Sequence, residues 1–139
     1  MPMFVQHIDK IARDKNRDVL LISFKSACSE IDPFEDFDYE SMPARREMMA
    51  WLTATNISFC YCMGVAQPGS IRPYVGDLYV DVPYDVNDRD YQKLAAFLEY
   101  PDGAKKIDGV QFGYLPLSLA LKNAHHDAPG FWEQVAQDW

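Results

Sequence analysis

The residues best suited to chemistry in this chain are a pair of cysteines and a pair of histidines. Cys60 and Cys62 would project from one face of an extended segment, where such a pair can hold a soft metal or act in redox chemistry. His125, His126 and Asp127 offer groups for acid, base or ligand roles. A structural zinc site needs four ligands, which would have to converge here from distant positions. We therefore expect no metal and no cofactor.

Sequence motifs that would fix a reaction are missing. Neither a G-x-S-x-G elbow nor a glycine-rich phosphate loop occurs, and the acidic residues do not have the spacing of an EF-hand. We therefore favour a chain without catalytic activity. The alternative is a small enzyme, or a ligand-binding or metal-binding domain. Its cleft would gather Cys60, Cys62, His125, His126 and Tyr114.

The stretch from Glu30 to Glu40 concentrates carboxylates and aromatic rings. Acids would speed encounter with a basic protein, and the rings would supply desolvated anchors. The other interpretation is a solvated connector whose rings fold back onto the core. We predict a partner-binding segment, and its residues are Asp32, Phe34, Glu35, Asp36, Phe37, Asp38 and Tyr39. If the polar face of the neighbouring strand stays open, a secondary patch forms from Asp77, Tyr79 and Asp81.

Composition limits the class of protein and the kinds of ligand that the chain can bind. The 139 residues, 48% of them hydrophobic, suit one globular domain over residues 1–139. A formal charge of −8 repels phosphate backbones, so we expect no nucleic-acid ligand. No apolar run is long enough to span a membrane, and the first fifteen residues lack a signal-peptide core. With three cysteines and no disulfide pattern, we expect a cytoplasmic protein.

Capping residues and hydrophobic spacing predict four helices. An amphipathic helix follows Pro2, and a second one starts at Ser41 and closes at Asn56. A capping box formed by Asn87 and Asp90 opens the third. The last helix opens at Pro129 with Asp127 as its cap, and it carries Trp132 and Trp139, a docking patch if the chain is a homo-oligomer.

Apolar runs and period-two alternation predict four strands. They cover Val19–Phe24, Ile57–Met63, the alternating residues Leu78, Val80 and Val82, and the segment with Val110, Phe112 and Tyr114. Pro116 stops the last strand or places it at a sheet edge, and residues 117–123 fit either strand or helix. Asp77, Tyr79 and Asp81 alternate with the apolar residues of the third strand, which should therefore wet one side.

The order of these elements predicts an α+β fold with a four-stranded sheet. From residue 19 to about residue 115 the order is strand, helix, strand, strand, helix, strand, which resembles the βαββαβ ferredoxin-like arrangement with added N-terminal and C-terminal helices. Such an order carries no functional residue with it. The function we predict is that of a non-catalytic protein-binding or inhibitory module that engages a basic partner protein through its acidic-aromatic surface.

Overall fold

The strand-forming segments of the chain assemble into one antiparallel sheet. A computed structural model describes residues 5–24, 39–67 and 74–138. In these ranges the sheet contains β1 (Val19–Phe24), β2 (Phe59–Tyr61), β3 (Leu78–Val80) and β4 (Val110–Leu115), in the order β2-β3-β1-β4. The predicted α+β class and the predicted succession of strands and helices are confirmed.

Five α-helices flank the sheet in the described ranges. They are α1 (Ile8–Lys15), α2 (Pro43–Ala54), α3 (Arg89–Leu98), α4 (Leu117–Leu121) and α5 (Phe131–Gln137), with short 3-10 helices at Tyr39–Ser41 and Ala124–Asp127. Within those ranges, the structure has no helix with both the length and the apolar surface that a bilayer crossing requires.

Strand β1 lies at the centre because both of its edges are hydrogen-bonded. Leu20 is opposite Val80 on one side and opposite Tyr114 on the other. The predicted bounds of β1 and the common face of Leu20, Ile22 and Phe24 are confirmed. That face packs under α2 and α3, in a buried cluster that includes Leu20, Ile22, Phe24, Met48, Leu52, Leu78, Val80, Leu94 and Leu98.

The second face of the sheet is covered by α1 and α4. A separate buried cluster there contains Ile8, Ile11, Ala12, Val19, Cys62, Tyr79, Leu115 and Ala120. Tyr79 belongs to this cluster and is only 4% exposed, and Asp77 is only 9% exposed. The expectation that β3 wets one side is wrong for these two residues, because Tyr79 packs in the cluster under α1 and Asp77 is buried near Ser23 and Arg45.

Strand and helix ends follow the sequence signals in part. Strand β2 is shorter than the predicted Ile57–Met63, and it starts late because the Ile57 N–H closes α2 by donating to the Leu52 carbonyl at 3.0 Å. Asn56 has φ 61° and closes the helix as predicted, in a Schellman arrangement. Helix α2 begins at Pro43, with Met42 rather than Ser41 at its N-cap.

Two predicted helix caps are wrong. Asp88 caps α3 by accepting the Tyr91 N–H at 2.9 Å, one residue after the predicted Asn87. Asp127 binds Arg13 and caps nothing, and α5 begins at Phe131 after Gly130 at φ 83°. The segment from Leu117 is helical, and the predicted helix start at Pro2 lies outside the described residues.

The α3 cap gives a direct test of this register. Replacing Asp88 with Ala leaves the Tyr91 N–H without its acceptor and should lower the free energy of unfolding by about 1 kcal/mol. Replacing Asn87 with Ala is the matched control and should change it by less than about 0.5 kcal/mol. Urea denaturation of both variants measures the difference, and a larger loss for the Asn87→Ala variant would contradict the assignment.

Candidate functional site

The predicted partner-binding segment lies mostly outside the described residues. This holds for Asp32, Phe34, Glu35, Asp36, Phe37 and Asp38, and the description resumes at Tyr39. Tyr39 is half-buried, with its ring 4.9 Å from the Arg45 guanidinium carbon and 5.1 Å from the Tyr74 ring. Gly76 has φ +100°, and a Cβ there would come within 2.7 Å of the Tyr39 Cβ. Tyr39 is therefore held by contacts with Arg45, Tyr74 and Gly76.

Arg45 links the residues around Tyr39. It is buried, and it donates from Nε to the Gly76 carbonyl at 3.0 Å and from a terminal nitrogen to the Tyr74 hydroxyl at 3.2 Å. The guanidinium carbon also lies 5.3 Å from the Tyr61 ring. A buried guanidinium in contact with several rings gains cation–π attraction in place of hydration. No sequence pattern indicated this role, because the rings come from separate segments.

Asp77 is buried beside this cluster. Burial raises its pKa to about 6, although a hydrogen bond with Ser23 and the positive charge of Arg45 act in the opposite direction. A group with this environment is a poor contact for a basic partner, because its carboxylate is covered by the sheet and its neighbours. Asp77 therefore does not belong to an open acidic patch.

Tyr79 and Asp81, the other two residues of the predicted patch, bind cations of this chain. The Tyr79 hydroxyl donates to Asp81 at 2.9 Å, Arg17 donates to both side chains, and Lys15 lies 3.4 Å from Asp81. Burial raises the pKa of Tyr79 to about 12. The charge of Asp81 is thus matched within the chain, and the three patch residues do not form one open acidic surface.

The residues of the alternative cleft are not brought together. Cys60 is exposed beside Lys15 and Asp81, whereas Cys62 is buried in the cluster under α1. Tyr114 lies on the other face of the sheet, where its ring stacks on Tyr84. Burial raises the pKa of both thiols, which disfavours the reactive thiolate. Within the described ranges, no group of three or more potential metal ligands is found.

A cavity of about 320 Å³ lies between α1 and the C-terminal segment. Arg13 joins the two elements: it donates to both carboxylate oxygens of Asp127, at 2.9 and 2.5 Å, and to the Ala120 carbonyl at 2.9 Å. The hydrogen bonds with Asp127 raise the pKa of Arg13 and lower that of Asp127. Asp9 is fully buried behind them and accepts from the Ala66 N–H and from Asn123.

His126 forms part of the wall of this cavity. It is buried, and neither ring nitrogen has a hydrogen-bond partner; Nδ1 lies 3.9 Å from an Asp9 oxygen. Burial lowers the pKa of His126 and so favours the neutral ring. The sequence singled out His126 and Asp127 but missed Asp9 and Arg13, although their i, i+4 spacing on an amphipathic helix was a signal.

An exposed aromatic surface lies on the other side of the molecule. The Tyr84 and Tyr114 rings stack at 4.5 Å with 16° between their planes, and these residues are 48% and 50% exposed. Asp85 and Val86, which follow Tyr84 in the chain, are exposed, and so is Asp90, which precedes Tyr91 in α3. We call this set, Tyr84, Asp85, Val86, Asp90 and Tyr114, the tyrosine surface. No sequence pattern indicated this surface, because Tyr84 and Tyr114 come from separate segments.

Comparisons of this chain with protein-family models, with curated proteins and with solved structures found no match.

The raised pKa of Asp77 predicts a pH-dependent stability. The folded state holds this proton more tightly than the unfolded chain, so ionisation of Asp77 removes stability as the pH rises from about 4 through about 6. Replacing Asp77 with Asn should therefore stabilise the chain, relative to the parent, by up to about 3 kcal/mol more at pH 7.5 than at pH 3.5. Denaturant unfolding at both pH values measures this difference.

Replacing Asp127 with Asn is the matched control, because the pKa of Asp127 shifts in the opposite direction. Asp127 stabilises the folded state when ionised, and this contribution is lost as the pH falls below about 4. The Asp127→Asn variant should therefore lose stability relative to the parent as the pH rises. A stability difference for the Asp77→Asn variant that does not change with pH would contradict the buried placement.

Proposed function

We propose that this chain is a non-catalytic protein-binding or inhibitory module that engages a basic partner protein through acidic-aromatic surfaces. The observation that carries the proposal is the tyrosine surface, where two stacked, half-exposed rings lie next to the exposed Asp85, which follows Tyr84 in the chain. Like the segment from Glu30 to Glu40, this surface combines acidic and aromatic side chains. The function therefore has support from described residues as well as from the sequence.

The stacked rings are suited to act as binding anchors. Tyrosine is enriched among the residues that dominate interface energetics, because it buries a large ring and keeps a polar end. Tyr84 also contacts the Tyr91 ring edge-on at 5.6 Å, and Tyr91 adjoins Phe112. Rings held by their neighbours lose little conformational entropy on binding. A partner that covers Tyr84 and Tyr114 therefore gains apolar burial at low entropic cost.

The charges of the chain favour a basic protein as the partner. The formal charge is −8, and Asp85, next to Tyr84 in the chain, and Asp90, next to Tyr91, make no ion pair in the described part of the chain. Exposed carboxylates beside an apolar anchor accelerate association with a cationic surface. The same field repels nucleic acid. Tyr39, the part of the segment from Glu30 to Glu40 that packs on Arg45, lies close to Gly76.

A ferredoxin-like topology is the second part of the proposal. Strands β1 and β2 are both antiparallel to β3, which lies between them, and β3 and β4 are both antiparallel to β1. Each helix-containing connection therefore joins parallel strands that have another strand between them, as in a split β-α-β unit. The additional helices α1 and α4 cover the second face. A cytoplasmic location stays a prediction from the cysteine content.

Photo-crosslinking tests the binding proposal in cells of the native host. Benzoylphenylalanine in place of Tyr84 should capture a basic protein, whereas the same group in place of Tyr100, which is similarly exposed at 53%, should not. With the captured protein purified, replacing Tyr84 and Tyr114 with Ser should weaken binding at least about tenfold. Replacing Phe34 and Phe37 with Ala should weaken it as well, with thermal stability within about 1 kcal/mol of the parent.

Three outcomes would contradict the proposal. Equal capture at positions 84 and 100 would show no preferred surface. Capture of a nucleic acid, or of a second copy of this chain, would replace the basic protein by another partner. Unchanged affinity in the Tyr84 and Tyr114 double variant, with a Tyr100→Ser control, would remove the tyrosine surface from the interface.

A further inference from the structure

Strand β4 forms one edge of the sheet. It is the last strand in the order β2-β3-β1-β4, and in the described ranges it pairs with β1 alone. At the opposite edge β2 has three residues, and the chain after it bonds to the N-terminal segment, since the Met63 N–H donates to the Gln6 carbonyl at 3.0 Å. β4 has six residues, and no charged side chain occurs from Val110 to Leu115. A long, uncharged edge is a template for a further strand.

The hydrogen bonds of β3 show where its backbone groups point. The Cys62 N–H donates to the Asp77 carbonyl at 3.1 Å, and the Asp81 N–H donates to the Ser58 carbonyl at 2.8 Å. The odd-numbered residues along β3 therefore bond towards β2. Because the bonding direction alternates along an antiparallel strand, the even-numbered residues of β3 bond towards β1.

The register carries this alternation across the sheet to β4. Even-numbered residues of β3 lie opposite even-numbered residues of β1, so the odd-numbered residues of β1 bond towards β4. Leu21 is one of these, and it lies opposite Gly113. The backbone N–H and C=O groups of Phe112 and Tyr114 consequently point away from the sheet. In the part of the chain that the structure describes, no backbone group bonds to them.

A cavity of about 400 Å³ lies beside β4. Its lining includes Gln111, Phe112 and Gly113 of β4 and Leu98 at the end of α3. A Cβ added to Gly113 would meet no atom within 4 Å, so space is open next to this residue. Side chains of a strand alternate between the two faces of its sheet. A strand added to β4 would therefore place every second side chain beside Tyr114 and the intervening ones beside Gly113.

Charge indicates which kind of strand fits this edge. The chain carries a formal charge of −8, so a second copy would be repelled, whereas a basic segment would be attracted. The stacked rings of Tyr84 and Tyr114 offer π faces to Lys or Arg side chains. The cavity beside Gly113 is lined in part by Leu98 and Phe112, and it suits apolar side chains. The edge therefore fits a segment in which basic and apolar residues alternate.

We propose that the basic partner of this chain binds as an extended strand that pairs with β4. Its Lys or Arg side chains lie beside Tyr84 and Tyr114, and its apolar side chains lie at the cavity. The inference rests on the proposed function, because it describes how the partner engages the tyrosine surface. Backbone hydrogen bonds to Phe112 and Tyr114 supply affinity, and the alternating side chains supply specificity.

Amide hydrogen exchange, measured by nuclear magnetic resonance on the full chain, tests the proposal. The probe is the peptide Lys-Val-Lys-Val-Lys-Val-Lys with blocked ends. The amides of Phe112 and Tyr114 should exchange rapidly in the free protein, and the bound peptide should slow them at least about tenfold. The Gly113 amide is the internal control. It bonds to β1, so its exchange should be slow both with and without the peptide.

Two comparison peptides separate strand pairing from charge. Lys-Val-Lys-Pro-Lys-Val-Lys has the same charge, but its proline lacks the N–H that a continuous strand needs, so it should slow exchange less than about twofold. Glu-Val-Glu-Val-Glu-Val-Glu keeps the strand pattern and reverses the charge, and it should also slow exchange less than about twofold.

The variant Gly113→Val tests the cavity without disturbing the fold. Gly113 does not have a positive φ, and the added Cβ meets open space. The valine side chain fills space that the peptide needs, so peptide binding should weaken at least about fivefold. Gly64→Val is the matched control, because a Cβ there also meets open space and Gly64 does not line the cavity. Its binding should be unchanged.

Several results would overturn strand addition. Slow exchange of Phe112 and Tyr114 in the free protein would show that the edge is already covered, and protection that rises with protein concentration would identify a second copy as the occupant. Equal protection by either comparison peptide, or no protection by the probe, would also overturn it. Shifts of the Tyr84 and Tyr114 rings without amide protection would overturn strand addition alone. Equal crosslinking at positions 84 and 100 would instead contradict the proposed function.

Discussion

The central strands of this protein are buried on both faces, and the rest of the structure depends on that constraint. β1 is hydrogen-bonded along both edges and carries apolar side chains on both faces, so it needs an apolar layer above and below. Helices α2 and α3 provide one layer. Ile8, Ile11 and Ala12 of α1, with Ala120 of α4, provide the other. Covering the second face also determines which polar groups are buried and which cavity forms at the edge of α1.

Polar side chains on this second face are buried and therefore need hydrogen-bond partners within the protein. Asp9 lies on α1 at a fully buried position, where an uncompensated carboxylate would be costly, and it accepts hydrogen bonds from Lys10, Ala66 and Asn123. Arg13 extends the same network to Asp127 and so ties the C-terminal segment to α1. His126 is the exception in this region, since its nitrogens lack partners. Buried polar groups without a partner are uncommon in folded proteins.

Much of the fold could be predicted from local patterns. Val19–Phe24 is a continuous apolar run, which a central strand requires, and Asn56 closes α2 because asparagine tolerates a left-handed conformation. Asp88 and Asn87 are both good capping residues, so sequence could not decide between neighbours. The alternation in β3 predicted solvent beside Tyr79, but a period of two cannot show that another helix will cover the polar positions.

The candidate sites were less predictable because their residues come from distant parts of the chain. His126 and Asp127 were visible as a local cluster, yet Arg13, which binds Asp127, lies more than a hundred residues earlier, and only the packing of α1 brings the two together. Tyr84, in the loop after β3, likewise stacks on Tyr114 of β4. Residue spacing describes one element at a time, whereas these contacts arise where elements cross.

Thiol labelling tests most directly whether α1 covers the second face of the sheet. Cys60 and Cys62 are two residues apart on the same face, but Cys60 is exposed and Cys62 is buried against α1. With peptide-resolved mass spectrometry at pH 8.5, iodoacetamide should modify Cys60 in the native protein at least about a hundredfold faster than Cys62, and denaturant should abolish the difference. Native labelling of Cys62 as fast as that of Cys60 would contradict the account.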